Sequence, residues 1–519
     1  MPIRMTDDPN QPADDNSGGG GRRPNYPGGG GGGFGALLPL LLGLFKGKGI
    51  IVILALAVGA YFLLGKGGSC NMAQVAGLFS QSGYSFNPNE FNKAQVYEEL
   101  DENNPGNAIP EAVSLLRFAP NRLDQGQQGS CVAWSSAYGA QTILTAAATG
   151  ADPNTVAFSP SYLYNQIRLE GCEGSYIQKA MEAMKANGGL PLSQYPYNDQ
   201  DCDRTPASSD VQQGRQNVIH GFTRLTNGDR MDALSIRGIK EHLANDAPVV
   251  IGMLVGQSFM QPMLGEDLWT PQGMDESQQG MGGHAMTVIG YDDTKFGGAF
   301  QIMNSWGEKW GKNGIGWVRY GDFSRYAKEA YGIDPLPKRT NVANIPLECN
   351  IGLVNYDNKQ YIPLKTNGKN YFETQSPISI GTRFKVEIKN VTECYIYIFG
   401  METDGSSYVL FPYTNKHSPY CGITGYRLFP KDQSLEADKL GNKDEIAIVV
   451  SKDELNYNEI NQAISQSTEA TYLGKVNSAL KNLLISSANF NNTNDGRIYF
   501  KADANDNKAV ACVVAFDKQ

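Results

Sequence analysis

Histidine is rare in this chain, with four residues among 519. Basic residues are fewer than acidic ones, 44 against 53, which gives a formal net charge of −9. No stripe of Lys and Arg occurs beyond the N-terminal region, which argues against a nucleic-acid partner, because phosphate binding needs clustered cations. The eight cysteines show no spacing typical of a metal site. We therefore expect no metal and no cofactor.

The length and the apolar content allow several folded units. Hydrophobic residues make up 41% of the chain, which is enough for sizeable cores. Shifts in composition predict five segments. They are a flexible Gly-rich arm with a short apolar segment at 1–48, a transmembrane helix at 49–65, a spacer at 66–108, a first globular domain at 109–338 and a β-rich C-terminal domain at 345–519.

Three separate motifs carry the groups that thiol chemistry needs. Cys131 stands six residues after Gln125, and far downstream come His284 and then Asn304. A cysteine nucleophile requires a base, a group that orients the base, and donors for the oxyanion of the tetrahedral intermediate. We assign these functions to His284, Asn304 and Gln125 in that order. A lone cysteine is otherwise more often a small buried hydrophobe.

The stretch after the cysteine predicts a helix. Residues 131–148 are rich in alanine, and the following Thr149-Gly150 is a typical stop. Ser130 is the expected N-cap. The Cys131 sulfur would then lie at a helix N-terminus, where the macrodipole and the unpaired N–H groups favour the thiolate.

The histidine and the asparagine fall on a predicted β-hairpin. Its strands are expected at 285–291 and 299–306, on either side of a polar, glycine-containing turn. Folding this hairpin places His284 opposite Asn304 or its neighbours, so the amide can fix the imidazole tautomer. We expect Trp306 to shield this contact from water, the alternative being an ordinary core tryptophan.

These motifs resemble those of the papain family of cysteine peptidases. Two more segments extend the resemblance, a Gly-Cys-x-Gly loop at 171–174 and a Tyr-Pro-Tyr turn at 195–197. The resemblance implies an α+β, papain-like two-lobed domain over 109–338, with a helical left lobe and a β-barrel-like right lobe. In the family, the first loop lines the non-prime side of the substrate cleft. The resemblance also makes Cys172 and Cys202 the expected disulfide pair, with two free thiols as the alternative.

The chain departs from the family pattern at three places. Gln128 occupies a position where the family usually has a disulfide cysteine, and Val132 follows the nucleophile where tryptophan is normal. Many members also carry an inhibitory helical propeptide, and the spacer at 66–108 is too short for one. Control by a propeptide is therefore not expected.

The stretch 49–65 is uncharged and apolar. At about 1.5 Å per residue it is slightly short for a hydrocarbon core about 30 Å thick, a gap that flanking lysines and local thinning can cover. A signal-peptide core is the alternative, although such a core lies nearer the start of a chain. Arg22, Arg23, Lys46 and Lys48 precede the stretch. The positive-inside rule then predicts a single-pass membrane protein with a cytoplasmic N-terminus and an exported catalytic domain, periplasmic or extracellular.

The C-terminal segment has period-2 strand patterns. Residues 382–450 resemble a bacterial β-rich domain of unknown function that recurs beside peptidase domains. Such a module could bind a protein partner.

Taken together, the sequence predicts a membrane-anchored, papain-like cysteine-type peptidase that hydrolyses peptide bonds in a peptide or protein substrate through an acyl-enzyme. Two alternatives stay open. One is a catalytically inactive papain-fold binding scaffold, and the other is an acyl transferase that uses the same thiolate.

Overall fold

The computed structural model describes residues 3–7, 83–225, 236–336, 346–485, 487–503 and 508–519. The predicted transmembrane helix at 49–65 and most of the predicted arm lie outside these ranges. Within the ranges that are described, no helix is both long and apolar enough to cross a membrane.

Strands and helices are numbered along the chain. The strands before residue 334 are β1 (Ile3–Asp7), β2 (Ala112–Ser114), β3 (Phe222–Arg224), β4 (Val249–Val255), β5 (Gly282–Asp292), β6 (Ala299–Met303), β7 (Ile315–Arg319) and β8 (Ala327–Ile333). The helices of this part are α1 (Pro88–Phe91), α2 (Cys131–Ala133), α3 (Thr142–Thr149), α4 (Pro160–Ile167), α5 (Ile177–Asn187), α6 (Ser208–Gly214), α7 (Ile236–Ala244) and α8 (Tyr320–Tyr326). A π-helical segment, Trp134–Gln141, joins α2 to α3.

A helical layer and a β-sheet meet at the helix that begins with Cys131. The predicted helix is present, although its middle is π-helical, and nearly every residue from 131 to 144 is buried. Small side chains suit this position, because α4 and α5 pack on one side of the helix and the sheet on the other. The sheet has the order β3-β8-β4-β5-β6-β7, with β2 paired to β5. The predicted α+β class of this domain is confirmed.

The hairpin predicted around the histidine is formed by β5 and β6. Thr287 is opposite Met303, and a bulge lies between Val288 and Gly290. The bulge absorbs the odd residue of the register, so the open end of the hairpin brings His284 beside the start of the Asn304 motif.

Two sequence predictions concern residues near the helix that begins at Cys131: a disulfide and an N-cap. The disulfide Cys172–Cys202 is present with a Cα–Cα distance of 6.2 Å, which confirms the expected pair. This bond uses both sulfurs of the grouping Cys172, Cys202 and Asp203, so neither is a thiolate available to a metal ion. Ser130 occupies the predicted N-cap position, although its side chain makes no capping hydrogen bond. Its hydroxyl lies 2.7 Å from the Tyr197 hydroxyl instead.

The C-terminal domain is a sandwich of two sheets. Its strands are β9 (Leu347–Asn355), β10 (Tyr361–Ile362), β11 (Leu364–Thr366), β12 (Tyr371–Thr374), β13 (Arg383–Asn390), β14 (Cys394–Met401), β15 (Ser407–Phe411), β16 (Tyr420–Cys421), β17 (Gly425–Phe429), β18 (Gln433–Ala437), β19 (Lys443–Ser451), β20 (Asn489–Asn492), β21 (Ile498–Ala502) and β22 (Ala509–Asp517). One sheet has the order β1-β18-β13-β9-β21-β20 and the other β11-β12-β22-β19-β14-β15. Helices α9 (Tyr457–Gln466) and α10 (Tyr472–Leu480) cover apolar side chains of the second sheet. The described part of 346–519 is thus rich in β-strands.

The first residues of the chain belong to this sandwich. Strand β1 pairs antiparallel with β18, Ile3 being opposite Ala437. The Ile3 side chain is buried in the core of the sandwich. The prediction of a flexible arm is therefore wrong for residues 3–7. An apolar side chain that can enter a core favours an ordered strand.

The described part of the predicted spacer is packed against both domains. We call residues 83–107 the strap. Tyr84, Phe91, Val96 and Leu100 of the strap are all buried. The prediction of a spacer is wrong for residues 83–107, because these side chains find apolar partners. They are spread among polar residues without a helix or strand period, so the sequence gives no sign of their burial.

Candidate active site

The structure places Cys131 at the first residue of α2, directly against β5. Its sulfur accepts a hydrogen bond from the Ala285 N–H at 3.4 Å. One helical turn further on, the Thr287 hydroxyl donates to the Ser135 carbonyl at 2.9 Å. The nucleophile therefore lies beside the residue that follows the predicted base.

The hydrogen bonds of His284 suit a base that accepts the proton of the Cys131 thiol. Its Nε2 lies 2.7 Å from Asn304 Oδ1, and the same oxygen accepts from the Ser305 N–H at 2.8 Å. Because an amide oxygen only accepts, Nε2 carries the hydrogen and Nδ1 keeps its lone pair. Nδ1 is buried without a hydrogen-bond partner among the described residues. The ring of Trp306 stacks on the imidazole with a centroid distance of 4.4 Å, which confirms its shielding position.

Gln125 is held close to this pair by a residue that sequence reasoning missed. Its side-chain oxygen accepts from the Ser305 hydroxyl at 2.7 Å, and its backbone N–H donates to the Ser305 carbonyl at 2.8 Å. The side-chain NH₂ donates to the Gln128 carbonyl at 3.0 Å. Ser305 thus links Gln125 to Asn304, and the four predicted residues are brought together.

The beginning of the strap covers this site. Gly83 accepts from the Ser175 N–H at 2.8 Å, and the Ser85 N–H donates to the Ser175 carbonyl at 3.1 Å. The Gly83 backbone also lies beside the Cys131 thiol and lowers the pKa of that thiol, against the larger effect of burial. A Cβ on Gly83 would lie 1.9 Å from the Gly129 carbonyl oxygen, so only glycine fits this approach. Control by a helical propeptide was not expected, and among the described residues the segment that reaches the cleft from ahead of the domain is short and extended at residues 83–86.

The strap passes Cys131 in the direction opposite to the one expected for a substrate. It runs from Cys131 at Gly83 towards the loop that contains Ser175, in a parallel bridge. The family resemblance assigns this loop to the acyl side of the cleft, where a substrate runs towards the nucleophile. The strap therefore runs the opposite way to such a substrate.

Burial keeps both reacting groups neutral while the strap is in place. Desolvation raises the pKa of Cys131 to about 11. Desolvation also lowers the pKa of His284 to about 4, and the hydrogen bond to Asn304 opposes this effect only partly. A thiol below its pKa is protonated and an imidazole above its pKa is uncharged, so at pH 7 neither carries a charge. The expected thiolate at the helix N-terminus is not favoured in this state, because desolvation outweighs the backbone N–H groups that face the sulfur.

The second strap residue, Tyr84, fills a pocket next to the nucleophile. Its N–H donates to the Gly283 carbonyl at 3.4 Å, and a Cβ on Gly252 would lie 2.2 Å from Tyr84 Cζ. Glu329 and Tyr331 close the pocket, where the Tyr331 hydroxyl donates to Glu329 at 2.9 Å. Burial raises the pKa of Glu329 to about 7, and burial followed by the Glu329 carboxylate raises the pKa of Tyr84. Sequence reasoning missed this pocket, although an acidic residue inside the apolar strand β8 was a signal.

Comparisons with known proteins agree with the geometry. Residues 119–334 match the family model described as papain family cysteine protease, which lies within the predicted 109–338. Mouse (Mus musculus) cathepsin K is 27% identical over 244 residues, which are 46% of this chain and 65% of that protein. The cysteine endopeptidase RepA of Oryza sativa subsp. japonica is 30% identical over 199 residues, 37% of this chain and 46% of that protein.

The chain thus spans less than two thirds of these relatives. Among solved structures, xylellain, a cysteine protease from Xylella fastidiosa, is 22% identical with a TM-score of 0.41, covering 50% of this chain and 97% of that one. The family model matches residues of the first globular domain. The resemblance of 382–450 to a bacterial β-rich domain stays a prediction.

The close approach of Gly83 gives a direct test of the cover. Gly83→Ala should displace the strap and speed the alkylation of Cys131 by a small thiol reagent at pH 7, because the added methyl group overlaps the Gly129 carbonyl. Mass spectrometry of the modified peptide measures the rate. Gly321→Ala is the matched control, since a Cβ there meets nothing within 4 Å. Equal rates for Gly83→Ala and the unchanged protein would show that the strap is not the barrier.

Proposed function

We propose that residues 119–334, a papain-family cysteine protease domain, hydrolyse peptide bonds through a thioester formed on Cys131. The observation that carries this proposal is the tautomer of His284. With Nε2–H bonded to Asn304, the opposite nitrogen is free to take the thiol proton. The proposed substrate is a peptide or protein.

The steps follow from the positions of these groups once the strap has left. His284 Nδ1 removes the proton from the Cys131 thiol, and the sulfur attacks the scissile carbonyl carbon. The Gln125 side-chain NH₂ and the Cys131 backbone N–H stabilise the oxyanion. The imidazolium then gives its proton to the leaving amine, and water hydrolyses the thioester with His284 again as base.

Two other functions use the same fold. An inactive binding scaffold needs no base in the correct tautomer and no oriented glutamine, yet both are present. An acyl transferase would share the thioester and differ only in the nucleophile that releases the product. Product analysis with and without an added amine separates hydrolysis from transfer.

Replacing each group of the site should lower the peptidase activity by a different amount. In a Gly83→Ala background, Cys131→Ala should abolish peptide hydrolysis, because it removes the attacking atom. Gln125→Ala should lower kcat by about 10²–10³-fold, the usual effect of one lost oxyanion donor. Asn304→Ala should lower it partially, since the amide orients the imidazole and transfers no proton.

Cys512→Ala is the matched control, because Cys512 is a buried free thiol of the other domain. It should leave kcat unchanged. Hydrolysis by a correctly folded Cys131→Ala protein would refute the assignment of the nucleophile.

The pocket filled by Tyr84 gives an expectation for specificity. A substrate side chain that replaces Tyr84 should be an aromatic ring with a polar end, because Gly252 leaves room for the ring and the Glu329 carboxylate, which accepts from the Tyr331 hydroxyl, is the acceptor nearest to the position of the Tyr84 hydroxyl. Glu329→Leu should reduce the preference for tyrosine over phenylalanine at this position by about tenfold, the value of one buried hydrogen bond to an ionisable group. Sequencing the products of a peptide library measures this preference. Glu329→Gln keeps an acceptor of the same size and should keep most of the preference. An unchanged preference in Glu329→Leu would contradict the role given to Glu329.

We also propose that the apolar stretch 49–65 anchors the protein in a membrane, with a cytoplasmic N-terminus and an exported peptidase domain. Its support is the apolar sequence and the basic residues that precede it. Strand β1 and the C-terminal domain must lie on one side of a membrane whenever β1 is paired with β18. A single-pass arrangement therefore requires β1 to be unpaired in the anchored protein.

Extraction and protease access test this arrangement. The protein should remain with membranes in alkaline carbonate, and protease added outside intact spheroplasts should digest residues beyond 83 but not a tag at residue 1. Digestion of both the tag and the domain would contradict a single crossing. Protection of both would place the peptidase domain in the cytoplasm.

A further inference from the structure

The strap has two parts with different surroundings. Its first part, residues 83–91, enters the cleft and ends at Phe91, which is buried under the Arg224 guanidinium at 4.6 Å from the ring centroid. Its second part, residues 94–107, lies between the peptidase domain and the C-terminal sandwich. The two parts are continuous, so whatever holds the second also positions the first.

The peptidase domain binds one side of the second part. The Arg224 N–H donates to the Gln95 carbonyl at 2.9 Å, and the Tyr97 N–H donates to the Arg224 carbonyl at 3.1 Å. The Tyr97 hydroxyl and the Leu100 N–H both donate to the Glu241 carboxylate, at 3.1 and 3.2 Å. The strap thus extends the edge of the sheet at β3.

The sandwich binds the same residues from the other side. The Val96 N–H donates to the Lys416 carbonyl at 2.6 Å, and the Ser418 N–H donates to the Val96 carbonyl at 3.2 Å. Both the N–H and the carbonyl of Val96 are therefore used by the C-terminal domain. Lys431 also forms an ion pair with Glu99 of the strap.

Two buried polar groups make this second contact specific. The Arg427 side chain is fully buried and donates from Nε to the Glu98 carbonyl at 2.9 Å. Asn107 donates to the Tyr426 carbonyl at 2.8 Å and accepts from the Tyr426 N–H at 2.9 Å. A guanidinium deprived of a buried acceptor is strongly unfavourable, so the sandwich and the strap stabilise each other.

The cleft part would be weakly held without this support. Its contacts near Cys131 are backbone hydrogen bonds and one buried tyrosine, and ordering a short extended segment has an entropy cost at each residue. Anchoring the chain twelve residues beyond Tyr84, at Val96, turns its binding into an intramolecular event with a high effective concentration.

We infer that the C-terminal sandwich acts as an intramolecular inhibitor of the peptidase domain, by clamping residues 94–107 so that residues 83–86 stay in the cleft. The inference rests on the proposed function, since only an active thiol protease has a cleft that needs covering. Release of the clamp uncovers Cys131 without any change in the residues that surround it. This assigns a function to the domain that the sequence left without one.

The experiment measures how fast Cys131 is alkylated in the full-length protein at pH 7, with the modified residue identified by mass spectrometry. Arg427→Met and Asn107→Ala remove clamp contacts and touch no residue of the cleft. Each should speed alkylation by about tenfold or more, the factor that corresponds to one good buried hydrogen bond. Gly83→Ala provides the rate of the uncovered site.

Matched controls exist for both changes. Arg383→Met alters an arginine of the same sandwich that pairs with Asp357. Asn103→Ala alters an exposed asparagine of the strap itself. In both control variants, Cys131 should be alkylated at the same rate as in the unchanged protein. Thermal unfolding verifies that each variant is folded, and if Arg427→Met is not, the milder Asn107→Ala decides.

The outcomes separate this inference from the proposed function. Fast alkylation of both clamp variants with slow controls supports the clamp, whether or not peptides are hydrolysed. Fast alkylation without hydrolysis would reject only the peptidase activity. Clamp variants that react as slowly as the unchanged protein overturn the inference, and so do controls that react as fast as the clamp variants.

Discussion

The chemistry of this protein depends on the packing of one buried helix against one strand. The helix begins at Cys131, and the strand carries His284 and Ala285, whose N–H reaches the sulfur. The helix can pack this closely against the strand because residue 139 is a glycine. A Cβ on Gly139 would lie 2.2 Å from the Thr287 hydroxyl oxygen. Because thiol and imidazole come from different layers of the fold, any loosening of this contact separates nucleophile from base.

The covered state shows how strongly the surroundings control these two groups. Backbone N–H groups at the start of a helix favour a thiolate, yet the sulfur has no access to water and its pKa is raised to about 11. The imidazole is held neutral for the same reason. Inhibition therefore needs no distortion of the site. A short extended segment that excludes water is sufficient.

The C-terminal sandwich gathers segments that are far apart in the sequence. Strand β1 completes one of its sheets, and the strap crosses its surface on the way from the cleft to the peptidase domain. The apolar side chain of Ile423, from the sandwich, is buried in the core of the peptidase domain. The two domains thus share a core and a strap, which makes the state of the cleft dependent on a domain that contributes no group to the chemistry.

Local signals in the sequence were sufficient for the elements that carry the reaction. An alanine-rich stretch with a stop, two strands around a polar turn, and the types of residue at 125, 131, 284 and 304 are properties of neighbouring residues, and propensity and period report them. The disulfide followed from the family resemblance.

Tertiary structure alone decided the strap, the pocket around Glu329 and the place of residues 3–7. Each depends on contacts between residues far apart in the sequence, such as Ile3 with Ala437 or Gly83 with Ser175. Such contacts leave no local period, because an extended segment takes its hydrogen bonds and its burial from its partners. Desolvation is likewise a property of the assembled site, so the pKa of Cys131 could not be inferred from its helix position.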